Sequence, residues 1–221
     1  MNLGFAAIAD NSSALFGGLL LTCLSTAIAL AVGLIGAPVL HLLRSSHISA
    51  AGWAVNAYIS FFRTTPEMVL IFWAYFCLPV AIGWQASGLA AGSVTLGLVA
   101  AAYLAEILRA GIESVPKGQF EAARSLGLHA FSLWTRVVLP QATPVMMGPF
   151  VNYLTELIKN TTLLAAVGVG ELAFVAYTLG SRTYRYFEFI TAVGVCYFAL
   201  IFPISMLAHF LEWRRVKVTQ G

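Results

Sequence analysis

The sequence predicts an all-α integral membrane protein of five transmembrane helices joined by short connections, and three observations carry that prediction. Of its 221 residues, 60% are hydrophobic and only 10% are charged. A soluble domain carries about 25% charged residues, so this chain cannot cover a water-facing surface. Its mean hydropathy of +0.86 points the same way. Charge-free apolar stretches also recur at the length a helix needs to cross a bilayer, about 20 residues. Finally, the basic residues gather on alternate connections, the asymmetry that sets orientation in a membrane.

The first charge-free stretch runs from Asn11 to Leu43 and holds one span, at 14–40. After it, "GWAVNAYISFF" is apolar, carries Trp53 and Tyr58 and ends at Arg63; this suits a helix lying at the bilayer interface. "TTPEM" then restarts a helix, with Thr65 as cap, Pro66 at the first helical position and Glu67 on the positive end of the dipole. A simple turn explains the proline equally well. Met68 to Ala105 is too long for one span, and Pro79, Gly83, Gly88 and Gly92 divide it into spans at 66–83 and 89–109. A fourth span falls at 138–158 and a fifth at 188–211. Residues 163–180, interrupted by Gly168, Gly170 and Glu171, read as a partly inserted or surface helix.

Five spans place the termini on opposite sides. Arg44, Arg63, Arg109, Lys117, Arg124, Arg136, Arg214, Arg215 and Lys217 then share one side, leaving Lys159, Arg182 and Arg185 on the other. Lys and Arg are retained in the cytoplasm, so the C-terminus is expected inside and the N-terminus outside. "MNLGFAAIAD" has no basic region of the kind a cleaved signal peptide carries. The net charge of +3 gives no reason to expect nucleic acid as a partner. Cys23, Cys77 and Cys196 lie in apolar runs without metal-ligand spacing and read as small core hydrophobes. No metal or cofactor is expected. The whole chain, 1–221, reads as a single transmembrane domain, with 112–136 as its cytoplasmic loop.

That loop reads "GIESVPKGQFEAARSLGLHAFSLWTRVVLPQA". Pro116 and Gly118 open it, Gln119 to Leu126 form a short helix, and Gly127 can end that helix in the left-handed conformation. His129 to Arg136 begin a second helix. Ala122 and Ala123 leave a flat face that another protein could approach. Helix physics alone also accommodates an ordinary helical hairpin.

The spacing Glu121-Ala122-Ala123, three residues, Gly127, nine residues, Val137, one residue, Leu139-Pro140 resembles the EAA loop of ABC importer permeases. "AYLAEILRAGIESVPKGQFEAARSLGL", "YISFFRTTPEMVLIF", "VVLPQATPVMMGPFVNYL" and "IKNTTLLAAVGVGEL" are similar to blocks of the polar amino acid permease subfamily. Together they cover most of residues 57–172. Thr64 stands where that family usually has Gly, and Asn160 where it usually has Asp. The resemblance implies a type I ABC importer permease fold in a bacterial inner membrane. It makes the loop a coupling helix seated in a groove of a cytoplasmic ATPase, with Gly118, Glu121, Ala122, Ala123 and Gly127 as the joint. It also implies a second permease subunit, identical or homologous, and an extracytoplasmic amino acid-binding protein, with membrane lipid around the bundle. The chain is not expected to be an enzyme. It has no GxxxxGK[ST] phosphate loop, since Lys117, Lys159 and Lys217 each follow a residue other than Gly, so ATP must be handled by another polypeptide.

Ionisable residues within spans are costly and face a pore or a partner. Glu106 and Arg109, three apart, suit a local salt bridge, and so do Glu156 and Lys159. The latter pair precedes Asn160, Thr161 and Thr162, which offer hydrogen bonds where a helix unwinds; broken helices hold zwitterions in this way. Glu156, Lys159, Asn160, Thr161 and Thr162 are therefore candidate pathway residues for an amino acid. Arg63 is expected to snorkel to the interface rather than to stand as a buried gate residue. Two rival readings remain open from the residues alone. An ATPase-independent channel or ion-coupled carrier would transport in vesicles without an ATPase, and a structural anchor would show no solute-dependent activity.

Overall fold

The computed structural model describes residues 6–46, 48–83 and 85–219, with side chains through Leu207. Among these residues every regular element is helical. A short α1 (Ala6–Asp10) leads into α2 (Ser12–Arg44). The buried side of α2 is built from small residues, including Gly18, Thr22, Ser25, Ala29, Gly33 and Ala37. It packs along α6 (Gly88–Glu113), which buries Ser93, Gly97, Ala100, Ala101 and Leu104. Between lipid-solvated helices there is no hydrophobic force to exploit, so close van der Waals packing of small residues does the joining. Gly33 lies against Ala100, Gly36 against Ala101, and Gly97 against Val32.

This register ascends on both helices, so α2 and α6 run parallel. The chain between them must therefore cross the bundle once. It does so as a broken span: α3 (Ser49–Thr64) and the run Glu67–Ile82 meet at 105°. That run comprises α4 (Glu67–Phe72), a π turn (Trp73–Cys77) and α5 (Leu78–Ile82). A second bent pair, Ala130–Val167 with Leu172–Thr183 at 51°, joins the three long spans Ser12–Arg44, Gly88–Glu113 and Tyr186–Leu207. Three unbroken helices and two bent pairs make up to five crossings.

The π turns have a cause. Pro79 and Pro140 each follow one, Trp73–Cys77 and Trp134–Val138. Proline lacks an N–H and clashes with the carbonyl four residues back; a wider turn lets that carbonyl step aside while the helix continues. Pro79 thus does not end its helix. The break comes at Gly83, in the left-handed region at φ 70°. Gly88 is the first residue of α6, at the edge of the break, and Gly92 is not a breaker. A Cβ on Gly88 would meet the Val167 carbonyl oxygen, and one on Gly92, inside α6, would meet the tip of Leu164.

Several further expectations need correction. α3 does not merely rest on a bilayer surface: Val55 and Ile59 enter the main core, and the Tyr58 hydroxyl donates to the Leu98 carbonyl at 2.8 Å. Thr65 makes no cap; α4 starts at Glu67 behind Pro66, with no side-chain cap hydrogen bond. Cys23 and Cys77 are exposed on outer faces and Cys196 is half-buried, because an apolar outer face is the rule in lipid. Of the two readings for residues 163–180, partly inserted or surface helix, the surface one fails, because this stretch packs into the bundle as part of a bent pair. After α9 (Leu139–Asn160), a 3-10 turn (Thr161–Val167) ends at left-handed Gly168, and α10 (Leu172–Thr183) follows. Leu172 and Ala176 are fully buried in a second core with Leu15, Phe189 and Val193. α11 (Tyr186–Thr219) closes the bundle. The side chains of Arg214, Arg215 and Lys217, and residues 1–5, on which part of the orientation expectation rests, lie outside the described residues.

Candidate functional site

The loop helix is α7 (Lys117–Ser125), entered through Pro116. Phe120 and Ala123, three apart, turn inward onto Val115, Leu133, Val138 and Ala142. The helix ends in a Schellman motif: Gly127 N–H donates to the Arg124 carbonyl at 2.9 Å, and Leu128 N–H to the Ala123 carbonyl at 3.1 Å. Gly127 takes the left-handed conformation this requires, at φ 70°, and Leu128 packs beneath the helix. His129 then caps α8 (Ala130–Leu133), its Nδ1 accepting from Phe131 N–H at 3.3 Å. α8 passes through the π turn directly into α9. The loop is therefore bolted to a span, and its second helix is the first turn of that span.

What α7 leaves free is a face of Gly118, Glu121, Ala122 and Ser125, all exposed at helical spacing. Leu126 and Phe131 stand exposed beside it, at 80% and 72%. A side chain at Gly118 would meet nothing. Ala123 does not belong to this face; it is 4% exposed and supports the helix from below.

Behind the loop, charges join rather than stay free. Glu106 accepts from Arg109 at 2.8 Å, the local pair its spacing suggests, and also from Arg44 at 2.6 Å. Arg109 reaches on to Glu113 at 2.6 Å. Arg44, the last residue of α2, lies 62 positions from Glu106, so no local pattern pointed to it.

Glu156 and Lys159 behave differently. Both are exposed, and no ion pair joins them among the described residues. Lys159 opens onto a groove along α11 lined by Tyr197, Phe198, Ile201, Phe202 and Ser205. Glu156 instead lies near enough to Glu67 and Tyr153 to act on them electrostatically. Tyr153 stacks on Tyr103 with ring centres 4.9 Å apart, and the Arg63 guanidinium sits 5.1 Å from the Tyr103 ring centre. Arg63 is exposed at the elbow between α3 and α4, with its guanidinium over an aromatic face. Asn160 ends α9, and the Thr161 and Thr162 hydroxyls donate to the carbonyls of Ile158 and Lys159 at 2.7 and 2.8 Å.

One buried group was missed by sequence reasoning. Glu171 is completely buried and caps α10, accepting from Ala173 N–H at 2.8 Å and Phe174 N–H at 2.7 Å. Tyr197 of α11 donates its hydroxyl to the same carboxylate at 3.1 Å. Leu172 N–H donates to the Thr22 hydroxyl of α2 at 3.3 Å. The signal was present: an acid after Gly168-Val169-Gly170, directly before an apolar helix.

Unbroken and bent apolar helices of span length, with an amphipathic loop helix fixed to one bent pair, describe a polytopic membrane protein. The chain belongs to the family described as binding-protein-dependent transport system inner membrane component, whose pattern matches residues 29–217. It is 34% identical over 217 residues to the arginine transport system permease protein ArtQ of Bacillus subtilis (strain 168), spanning 98% of this chain and 99% of that one. To the probable glutamine ABC transporter permease protein GlnM of the same organism it is 35% identical, over 94% and 96% of the two chains. Its fold superposes on the crystal structure of an amino acid ABC transporter with histidines, with a TM-score of 0.87, 29% identity and coverage of 97% and 100%. An inward-facing MetNI methionine ABC transporter follows at 0.68, with 25% identity and coverage of 88% and 91%. The protein is thus a permease subunit of an ABC importer, an inner-membrane component with a type I importer fold. ATPase and binding-protein partners go with that family.

Proposed function

We propose that this chain carries amino acids, forms half of the translocation path with a second permease subunit, and couples to a separate ATPase through α7. The observation that supports the coupling is the free face Gly118-Glu121-Ala122-Ser125 on a helix locked to α9. Helix-in-groove docking needs such a face, and a joint that transmits force needs such rigidity. When ATP closes the paired ATPases, two coupling helices move together and bias a two-state bundle toward its outward-facing form. The chain itself performs no catalysis. Residues 112–136 face the cytoplasm within a single transmembrane domain, the C-terminus is inside and the N-terminus outside. A solute-binding protein delivers the amino acid from the opposite side. Glu156 lines the path; Lys159 opens toward α11, and Asn160, Thr161 and Thr162 form the turn where α9 tightens.

Two variants test the joint. Glu121→Lys reverses a charge on the docking face and should reduce ATPase association and coupled ATP hydrolysis about tenfold, roughly 1.4 kcal/mol. Gly127→Val forces a β-branched residue into the left-handed region, at a cost of about 1–2 kcal/mol. The site has open space around it, so the cost is backbone strain alone. Gly127→Asn, which tolerates that region, should retain activity. Wild-type ATP-driven uptake in both Glu121→Lys and Gly127→Val would remove the coupling assignment. In a background lacking Cys23, Cys77 and Cys196, labelling of a cysteine at position 118 by an impermeant reagent from outside would overturn the orientation.

A further inference from the structure

We infer that the second permease subunit is a second copy of this chain, and that the two copies meet along α9 with Glu156 of each paired to Lys159 of the other. The inference rests on the reading above that one chain forms half of the path. Its basis is a seam on α9. Val145, Pro149, Asn152, Glu156 and Lys159 are all exposed and follow one another at intervals of four, three, four and three residues. That is the spacing of a coiled-coil seam. Gly148, Val151, Tyr153, Leu157 and Ile158, which intervene, are buried.

Lipid does not suit this seam. The exposed faces of α2 and α11 carry Leu20, Leu34, Ile35, Phe198 and Phe202, side chains that acyl chains solvate. The α9 seam carries an amide, an acid and a base instead. Lys159 opens beside Tyr197 and Ile201, and Tyr197 lies eleven residues past Tyr186, the start of α11. That is about 16 Å along the helix, well inside the bilayer, where an uncovered cation is costly. Glu156 and Lys159 stand at i,i+3 and could pair with each other, yet no ion pair joins them among the described residues.

A second copy meets both charges. Two identical membrane subunits share one orientation, so the axis relating them runs along the membrane normal and their α9 helices lie parallel. A two-fold contact is isologous, so every pair across it is made twice. Position 159 stands about 4.5 Å beyond position 156 along the helix, within reach of a glutamate opposite, and two pairs neutralise four charges. Asn152, one turn before Glu156, both donates and accepts through its amide and so complements itself across the axis. A path shared by two subunits runs along that same axis, so a residue that lines it also faces the other copy.

The test is disulfide cross-linking, in membranes, of the complex with its ATPase subunits, in a background lacking Cys23, Cys77 and Cys196. Asn152→Cys should give a covalent permease dimer on oxidation, and Gly17→Cys, exposed on α2, should give none. Adding Glu156→Lys or Lys159→Glu to Asn152→Cys sets like charges against one another across the seam and should lower the yield about tenfold. Co-expressing the two charge variants, one lengthened by a tag, restores opposite charges in the mixed dimer alone, and its yield should return to that of Asn152→Cys. A pair made within one chain cannot be rescued that way. Native mass spectrometry counts the permease chains in the unaltered complex. No cross-link at position 152 in a complex holding two copies overturns the seam and leaves the half-path reading in place. A different permease chain as second subunit overturns the second copy and also leaves that reading in place. A single permease chain with no other overturns both. A yield that neither charge reversal lowers, or that the mixed dimer does not regain, overturns the Glu156–Lys159 pairing.

Discussion

Gly97→Leu should prevent recovery of folded permease. A Cβ at position 97 would stand 2.6 Å from the Val32 Cβ and 3.1 Å from the Ala29 carbonyl oxygen. Those are a β-branched stem and a backbone atom, neither of which can swing away as a flexible side-chain end would. Overpacking a core costs about 1–3 kcal/mol, and more where the backbone must move. Here the backbones of α2 and α6 must separate, and the close contacts at Gly33 and Gly36 are lost with them. Gly97→Ala, the smallest addition, should already lower the unfolding midpoint in detergent. Gly17 is the control, since a Cβ there meets nothing within 4 Å, and Gly17→Ala should be neutral or slightly stabilising, by up to about 1 kcal/mol. A Gly97→Leu protein that unfolds at the wild-type midpoint would contradict the described packing of α2 on α6.

Glu171→Leu should be nearly as damaging, for a polar reason. It strands the N–H groups of Ala173 and Phe174 and the hydroxyl of Tyr197, all of which end on the Glu171 carboxylate. Each buried donor left unmade costs about 1–3 kcal/mol, partly offset by the apolar leucine. A net loss of about 3 kcal/mol, more than a hundredfold in the folding equilibrium, is expected by denaturant unfolding in micelles. Glu171→Gln keeps one acceptor oxygen but not the charge, and should lose about 1 kcal/mol. Tyr197→Phe added to Glu171→Leu should restore part of the loss, because one stranded donor is gone; in a mutant cycle the two changes should not add. Full additivity, or a Glu171→Leu protein of undiminished stability, would remove Glu171 from its place as the tie between α10 and α11.

Much of the membrane architecture could be read directly. Charge-free stretches of span length located α2, α6 and α11, since burial in lipid filters composition over 20 residues at a time. The loop was equally legible: Gly127 announced its left-handed turn through the only residue type that takes it freely, and the same local spacing foretold the Glu106–Arg109 contact. Ala123 shows the limit of that reading. Ala122 and Ala123 are chemically identical and adjacent, yet one is exposed and the other is buried, because a 100° step around α7 separates them and only the cluster beneath fixes which side is inward.

The sequence by itself determined the helical class, the spans, the loop helix and its stop, because each follows from composition or from contacts a few residues apart. Tertiary structure alone decided the rest. It turned Gly92 from an apparent break into a close-packing position, made Arg44 a partner of Glu106, drew Glu171 onto Tyr197, and set Arg63 beside Tyr103 while parting Glu156 from Lys159. A charge in a low-dielectric bundle is governed by whatever stands within a few ångströms of it, and those neighbours come from helices distant in the chain.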